Sequence, residues 1–569
     1  MATIDLTGSA TSSAVLTATL LKRPATSGVA GDYLVDPEDL ALLRSPSQRF
    51  TLRAAFTPAY TPTVSNRLRG SAENMRDAIA WTPDAGIGPN QVGIVGVPVS
   101  YYLLGSKRNG AAVPAANQSM DWDDGTVVTP VTGIAAHTYT AAGTYEVKFS
   151  CTDSTSGVTF VAHRWVKIFD TWAGAYDGIV EVGSISGSSS QGGWSVSLKV
   201  TSVTGDYLTG DFPDHLGVIL YVDQQWDVDD ARGLGTTRTP NRSDGFEWYP
   251  NYLFAGYIVG SSVRVDADTH SVTFEARTAE YFLQRMNIYE MAWLDSSESG
   301  YGHIISGLMF SDVSNHLIYQ HSNFGKWHSF YSWREAWPDA NTYKRITLNE
   351  GTIWSALQNF ATNEFGRLSS SRYSSLAINP DINVRGLTWW GSIGDPPELP
   401  FDEGNCLSID VTETLPTIGA VELEAANPFK GTTLTAKYPS SPGDIGDREI
   451  VQGLTCEVQA NLDAWAERLF YARNARYAVR VATAMPKILD IDQRVVVDYA
   501  DPQERVDLTG DVGGGAMRKP FYVTDIGYTL DPGQGTWTAT FGLGEIVRTR
   551  WNLTTQKWQI YNGSSWEDA

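Results

Sequence analysis

The chain is poor in positive charge, in cysteine and in long apolar runs. Its 569 residues carry 42 Lys and Arg against 64 Asp and Glu, a formal net charge of −22. That balance argues against a duplex-binding module, because phosphate recognition needs clustered cations to release counterions. Three cysteines, Cys151, Cys406 and Cys456, lie far apart in the sequence. They exclude a disulfide framework and point to synthesis in a reducing cytosol. Met1 to Ala10 has no basic stretch, and the apolar residues from Ala14 to Leu21 are broken by threonines and followed by Lys22 and Arg23. Neither a signal peptide nor a membrane span is expected, so a chain found outside a cell would have left by lysis or another non-Sec route.

Aromatic residues and glycine are abundant. The 19 Trp, 26 Tyr, 20 Phe and 53 Gly, with only 19% charged residues, imply ordered, turn-rich β structure rather than disorder. The length suggests about three or four domains. Residues 1–90 alternate Ser/Thr/Ala stretches with short apolar runs, punctuated by Pro46, Pro58, Pro62 and Pro83, and read as short strands and loops.

Residues 91–170 are more specific. A strand-like opening from Val92 to Leu104 precedes Asp121-Trp122-Asp123-Asp124-Gly125-Thr126, then His137-Thr138-Tyr139 and Gly143-Thr144-Tyr145. Tyr145, Val147, Phe149 and Cys151 alternate with polar residues, which places them on one strand face. Gly125 and Gly143 are expected at sharp turns, with Trp122 and the tyrosines in the core of a small antiparallel sandwich. The segment resembles a PKD-type, immunoglobulin-like domain. It departs from that signature at Asp123, where a glycine is usual, and at Cys151-Thr152-Asp153. The resemblance implies spacing or adhesion, not chemistry.

Strand patterns continue to Arg277: Trp194, Val196, Leu198 and Val200 alternate, and Leu253 to Arg264 is expected to turn at Ala267-Asp268 into Ser271 to Arg277. Thr278 is a candidate cap for a helix showing Phe282, Leu283 and Met286 on one face. A second helix is expected from Ile353 to Glu364, ended by Gly366. Leu462, Trp465, Ala466, Leu469 and Phe470 give a third its apolar stripe. Further strands are expected at Val495 to Tyr499, Phe521 to Leu530 and Thr536 to Leu543. One small hairpin turning at Asn562-Gly563 closes the chain.

Three stretches and their order resemble the tail hub proteins of bacteriophages, the baseplate or tail-tip hubs of long-tailed phages and related injection machines. They are Phe254 to Ile258 leading to Thr273 to Arg277, Thr352 to Leu357 leading to Phe365 to Leu368, and Tyr522 to Tyr528. The resemblance spans about Thr171 to Arg550. It implies a mainly β (α+β), multidomain chain: hub-type β-barrels with a few amphipathic helices, plus the sandwich. The expected segments are 1–90, 91–170 (PKD-like), 171–290 (first barrel), 291–348 (an aromatic-rich insertion facing the host), 349–455 (α/β), 456–550 (second barrel) and 551–569 (aromatic hairpin). It also implies a virion protein, a homotrimeric ring continuing the tail tube and partnered by tube, distal tail and tip or fibre proteins. DNA would pass through it without specific binding.

The candidate chemistry is thin. His316 and His321 have a spacing seen in zinc pairs, with His328 near, but neither a cysteine pair nor His-Glu-x-x-His accompanies them. Asp227, Asp229 and Asp230, or Asp121, Asp123 and Asp124, offer oxygens to calcium but lack the EF-hand glycine and glutamate or already serve a turn. No nucleophile elbow, P-loop or dinucleotide fingerprint is present. The expectation is therefore no catalytic residue, no metal and no cofactor. Trp551, Trp558, Tyr561 and Trp566 are the candidate host or partner contacts, either pairing across the hairpin and docking on a neighbour or stacking on host glycan. The alternative function is a multimodular glycan-binding adhesin.

Overall fold

The computed structural model describes residues 52–64, 84–87, 90–106, 113–222, 252–288, 292–295, 308–332, 341–385, 406–484 and the strands between 505 and 568, with short breaks inside several of these spans. The architecture is mainly β. Its largest sheet has 12 strands, all antiparallel, and holds two units side by side.

The first unit is a closed barrel. Strands Gly178–Ser188 and Gly193–Ser202 form a hairpin, Gly193–Ser202 pairs Ser271–Arg277, and Ser271–Arg277 pairs Tyr252–Ile258. Tyr252–Ile258 pairs Gly217–Val222. Leu52–Thr57 then pairs both Gly217–Val222 and Gly178–Ser188 and closes the ring. The closing strand thus comes from the stretch that the sequence reading set apart as an N-terminal segment. Alternation fills the interior: Leu52, Ala54, Val196, Leu198, Val200, Leu220, Phe254, Val272 and Phe274 are buried in one core. Some barrel positions leave no room for a side chain. A Cβ on Gly178 would meet the Tyr207 hydroxyl, and one on Gly217 would meet Thr57 Oγ1.

The second unit runs Cys406–Glu413, Tyr477–Ala484, Thr536–Glu545, Gly515–Asp531, Arg505–Val512. Val479, Val481, Phe521, Val523, Phe541 and Leu543 extend the same core. Val495 to Tyr499, expected as a strand, lies outside the described residues.

Residues 84–169 form a two-sheet sandwich. One sheet is Asp84–Ile87, Pro98–Ser106 and Gly133–Thr138; the other runs Gln91–Ile94, Thr159–Phe169, Gly143–Thr152, Gln118–Asp121 and Val127–Val128. Trp122, Tyr139, Val147, Phe149 and Cys151 are buried between them. Asp123 stands at φ 64° and Gly125 at φ 90°, so the aspartate occupies a left-handed position that its short polar side chain tolerates. Gly143, expected at a sharp turn, instead opens a strand.

Between strands Cys406–Glu413 and Tyr477–Ala484 lies an α/β unit. Helix Gln459–Arg473 packs Leu462, Trp465, Ala466 and Leu469 on the three-stranded sheet of Ile418–Ala426, Thr433–Tyr438 and Asp447–Thr455. The helix therefore covers this small sheet and not the five-stranded second unit. The helix after Arg277 is a single turn, Glu280–Leu283, all four residues buried. Thr278 does not cap it: its hydroxyl accepts from Trp194 N at 2.8 Å. The ribbon before it is interrupted by a turn at Gly260–Ser262.

Candidate functional site

The sandwich, the first barrel and residues 316–332 meet in one place. Burial of apolar side chains drives the meeting: Leu317, Ile318, Tyr319, Phe324 and Phe330 join Phe160 and Val166 of the sandwich and Phe282, Leu283 and Ile353 in one core. Within the expected insertion, the apolar residues of 316–332 are thus internal, and the expectation of a separate host-facing domain is corrected for that stretch. Its sequence signal, aromatic density, suits a core as well as a surface.

Rings order this junction. Tyr319 meets Phe160 edge-on at 5.4 Å, while Trp327 stacks on His163 at 4.9 Å and on Trp165 at 5.7 Å. Tyr60, from before the sandwich, meets Phe282 at 4.8 Å and His328 at 5.0 Å. Tyr60 also donates to Asn323 Oδ1 at 2.7 Å. The buried Arg164 guanidinium donates to the carbonyls of His163 and Lys326 and to Ser329 Oγ, pinning a sandwich strand to the inserted segment. Burial, aided by Arg164, holds the His328 imidazole well below its ordinary pKa, so it is neutral. A water-sized polar cavity of about 10 Å³ beside Arg164, Tyr257 and His328 suits one solvent molecule, not a substrate.

The side chains of Asp121, Asp123 and Asp124 are already committed to local hydrogen bonds. Asp121 Oδ1 accepts from Asp123 N, Asp124 Oδ1 from Thr126 N, and Asp123 Oδ2 from Glu146 N, so all three acids hold the turn. Burial raises the Asp124 carboxyl, but hydrogen bonds with His137 at 2.6 Å and with Thr126 together hold it below its ordinary pKa. His316 and His321 sit at the ends of one helical turn, His316–His321, and His321 and His328 are buried. Among the described residues no three His, Cys, Asp or Glu side chains gather to hold a metal ion. Asp227, Asp229 and Asp230 lie outside the described residues.

The four aromatic candidates fall on a three-stranded meander, Thr549–Asn552, Lys557–Tyr561 and Trp566–Asp568, not on the single hairpin expected. Trp551 is in register with Trp558, and Tyr561 with Trp566 across a four-residue connection. The register makes two cross-strand pairs, and because Trp558 and Tyr561 stand three residues apart on one strand, the pairs fall on opposite faces of the meander.

A second feature was invisible in the sequence. The barrel and the second, five-stranded unit are joined edge to edge by strand Gly178–Ser188 of the first against Gly515–Asp531 of the second, with Ile185 opposite Leu530 and Ser188 opposite Gly527. The joint is tight, because a Cβ on Gly527 would stand 3.3 Å from Gly187 O. Trp194 packs on Tyr528 at 5.5 Å, and Arg372 lies 4.0 Å over the Tyr528 ring. Glycine and tyrosine in this stretch carried only a strand signal; their role depends on a partner more than 300 residues away.

No family model matches the sequence. No curated protein matches it either. Among solved structures the chain is similar to a tail protein from Neisseria meningitidis MC58, at 12% identity and a TM-score of 0.38 over 64% of this chain and 92% of that one. It is similar to the 43 kDa tail protein of prophage MuSo2 from Shewanella oneidensis, at 9% identity and 0.38 over 64% and 94%. A third is an E. coli component of the type VI secretion system, described as structurally similar to T4 bacteriophage tail proteins, at 7% identity and 0.37 over 65% and 75%.

Proposed function

We propose that the chain is a structural virion protein, a tail hub that forms a ring at the distal end of a phage tail tube, connects tube to tip or baseplate and lets DNA pass. The observation that carries this reading is a closed barrel locked edge to edge with a second five-stranded unit within one chain. Lateral strand pairing between barrels is a way to build a continuous wall, and it turns edges that would aggregate in a monomer into seams. The work is mechanical, with no catalytic step. The sandwich serves as a PKD-type spacer, and the assembly is a homotrimer partnered by tube and tip proteins. The acidity has a role here: with 64 acids against 42 cations, a negative lumen repels phosphates so that DNA slides through unbound. Cryo-EM of the intact particle is the test. Density for this chain encircling the tail axis is expected, and a position confined to peripheral fibres would sink the reading.

A further inference from the structure

A buried acid lies directly behind the joint between the barrel and the five-stranded unit. Gly193 opens the strand that follows Gly178–Ser188, and a Cβ placed on it would stand 3.0 Å from Thr278 Oγ1 and 3.5 Å from Glu280 Oε2. Trp194 N donates to Thr278 Oγ1 at 2.8 Å, and the same hydroxyl donates back to Trp194 O at 3.3 Å. Trp194 in turn fills the joint. A Cβ on Gly187 would meet its Cα at 2.9 Å and its ring at 3.0 Å, and Tyr528 of the second unit packs on that ring at 5.5 Å. Contact thus runs from the Glu280 carboxyl through Thr278 and Trp194 to the seam where Ser188 faces Gly527.

The surroundings of the carboxyl are closed. Glu280 is 0% exposed within a turn whose other residues, Tyr281, Phe282 and Leu283, are also buried, and neither of its oxygens has a hydrogen-bond partner among the described residues. The charged and titratable groups of the elements packed on this turn are engaged elsewhere. Arg277 pairs with Glu275, Arg285 lies 4.2 Å over Tyr281, and His215 pairs with Asp214 and meets the Phe282 ring. Arg372 lies 4.0 Å over Tyr528 and donates to Leu253 O and Tyr373 Oη, while helix Ile353–Asn363 carries no titratable side chain. Burial pushes Glu280 up to about 7, against a weak pull from Thr278 and its own main-chain N–H. A neutral acid is tolerated in such a place, whereas a carboxylate without cation or donors is not.

We propose that Glu280 is a proton-operated latch on this joint: protonated, it lets Thr278 and Trp194 close the seam, and ionised, it moves to water, draws both residues with it and parts strand Gly178–Ser188 from strand Gly515–Asp531. The seam is the pairing that yields. It is held at Ile185–Leu530 and Ser188–Gly527, whereas Gly178–Ser188 pairs Gly193–Ser202 along its whole length. The sign follows from linkage. The carboxyl keeps its proton up to about 7 when buried and loses it near 4.5 when exposed, so the closed seam is fully favoured at acid pH. It loses ground between those values by roughly 100-fold or more and changes no further above them. The latch stands on contacts within one chain and is independent of the hub reading.

Spin labels across the seam test it, in the full chain carrying Cys406→Ser; Cys151 and Cys456 are buried, which shields them from the label. Labels at Ser186→Cys and Thr529→Cys, exposed and opposite each other in the seam register, report the joint. A second pair, Ser184→Cys with Ser197→Cys, reports the barrel wall on the other side of the same strand. Dipolar coupling of the seam pair is expected to be strong at pH 5.5 and to fall by about half or more at pH 8, while the wall pair stays coupled. Glu280→Gln should keep the seam pair coupled at pH 8, and Glu280→Met should do the same where the Gln variant does not fold. Seam coupling that persists at pH 8 with Glu280 in place would overturn the latch. So would a loss that the Gln variant shares, or one that strikes both pairs together, since the whole fold and not the joint would then be loosening.

Discussion

Glu280 shows how a single side chain sets a measurable property of this fold. It is fully buried beside Gly193 and Thr278, and neither carboxyl oxygen has a hydrogen-bond partner. Burial pushes it up to about 7, with the Thr278 hydroxyl, itself engaged by the Trp194 main chain, pulling weakly the other way. Unfolded, it loses its proton near 4.5. Between those values the folded chain holds a proton that the unfolded chain has released, so stability falls as pH rises through this window and is level above it, by about 3 kcal/mol in all. Glu280→Gln should remove that slope and raise Tm at pH 8 by a few degrees. His328 works in the opposite sense: its folded pKa lies well below 6.5, so stability is lost as pH falls below 6.5. Thermal melts of the Gln variant from pH 5 to 8 should therefore keep the acid-side loss and lose the neutral-side one. An unchanged profile would show that Glu280 does not titrate in the fold. Arg164 is the second residue of this kind. Arg164→Met should cost about 2 to 4 kcal/mol by stranding the Lys326 carbonyl and Ser329 hydroxyl, read as a lowered midpoint in denaturant.

Among the elements, helix Ile353–Asn363 matches its expected span, but Phe365 at φ 51° takes the left-handed position that ends it, while Gly366, expected to do so, opens the strand Gly366–Ser370. Thr352 Oγ1 accepts from Ser355 N at 3.0 Å and Ser355 Oγ accepts from Thr352 N at 3.2 Å, a reciprocal capping box, while Ile353, Leu357 and Ala361 are buried. Thr352→Ala should destabilise the chain by about 1 kcal/mol and Thr352→Asp by less, measured by urea unfolding; equal losses would place the effect in packing instead of the cap. The stripe of helix Gln459–Arg473 was legible for the same reason: its information is local and periodic. Strands Gly515–Asp531 and Thr536–Glu545 were likewise readable from alternation and a Pro-Gly turn. What stayed hidden was pairing. Leu52–Thr57 closes a barrel with strands more than 120 residues away, and nothing in its six residues says so. Thr278 has the chemistry of a cap but spends it on Trp194, because the barrel edge is nearer than the helix it precedes. The His-rich turn at 316–321 reads in sequence as an aromatic surface or core more readily than as ligands, and Leu317, Ile318 and Tyr319 share a core with Phe160 and Phe282. The four aromatics of the closing meander showed their alternation but not their third strand.

At the scale of the molecule, the sandwich is joined to the rest by a continuous core and not by a linker alone. Val92 packs with Ala55, Ile219 and Tyr221 of the barrel, while Phe160 and Val166 share a core with Tyr319, Phe324 and Phe330. Lys167 forms an ion pair with Asp177 at 3.5 Å, which in turn accepts from Phe56 N at 2.7 Å. A module added only as a spacer would be removable. Excising residues 84–170 and bridging the ends with a flexible linker removes one wall of that core and leaves Tyr319, Trp327 and Phe330 facing water. Losing contact for several large side chains forfeits about 1.5 to 3 kcal/mol for each fully buried one, enough to exhaust a marginal stability. The shortened chain should therefore lose its cooperative melt or pass into the insoluble fraction. In limited proteolysis its first cuts should fall within 316–332, a stretch protected in the full chain. If the excised chain instead keeps the parent's melting temperature and digestion pattern, the sandwich is a dispensable ornament, and the shared core contributes little to holding the barrel and the inserted segment together.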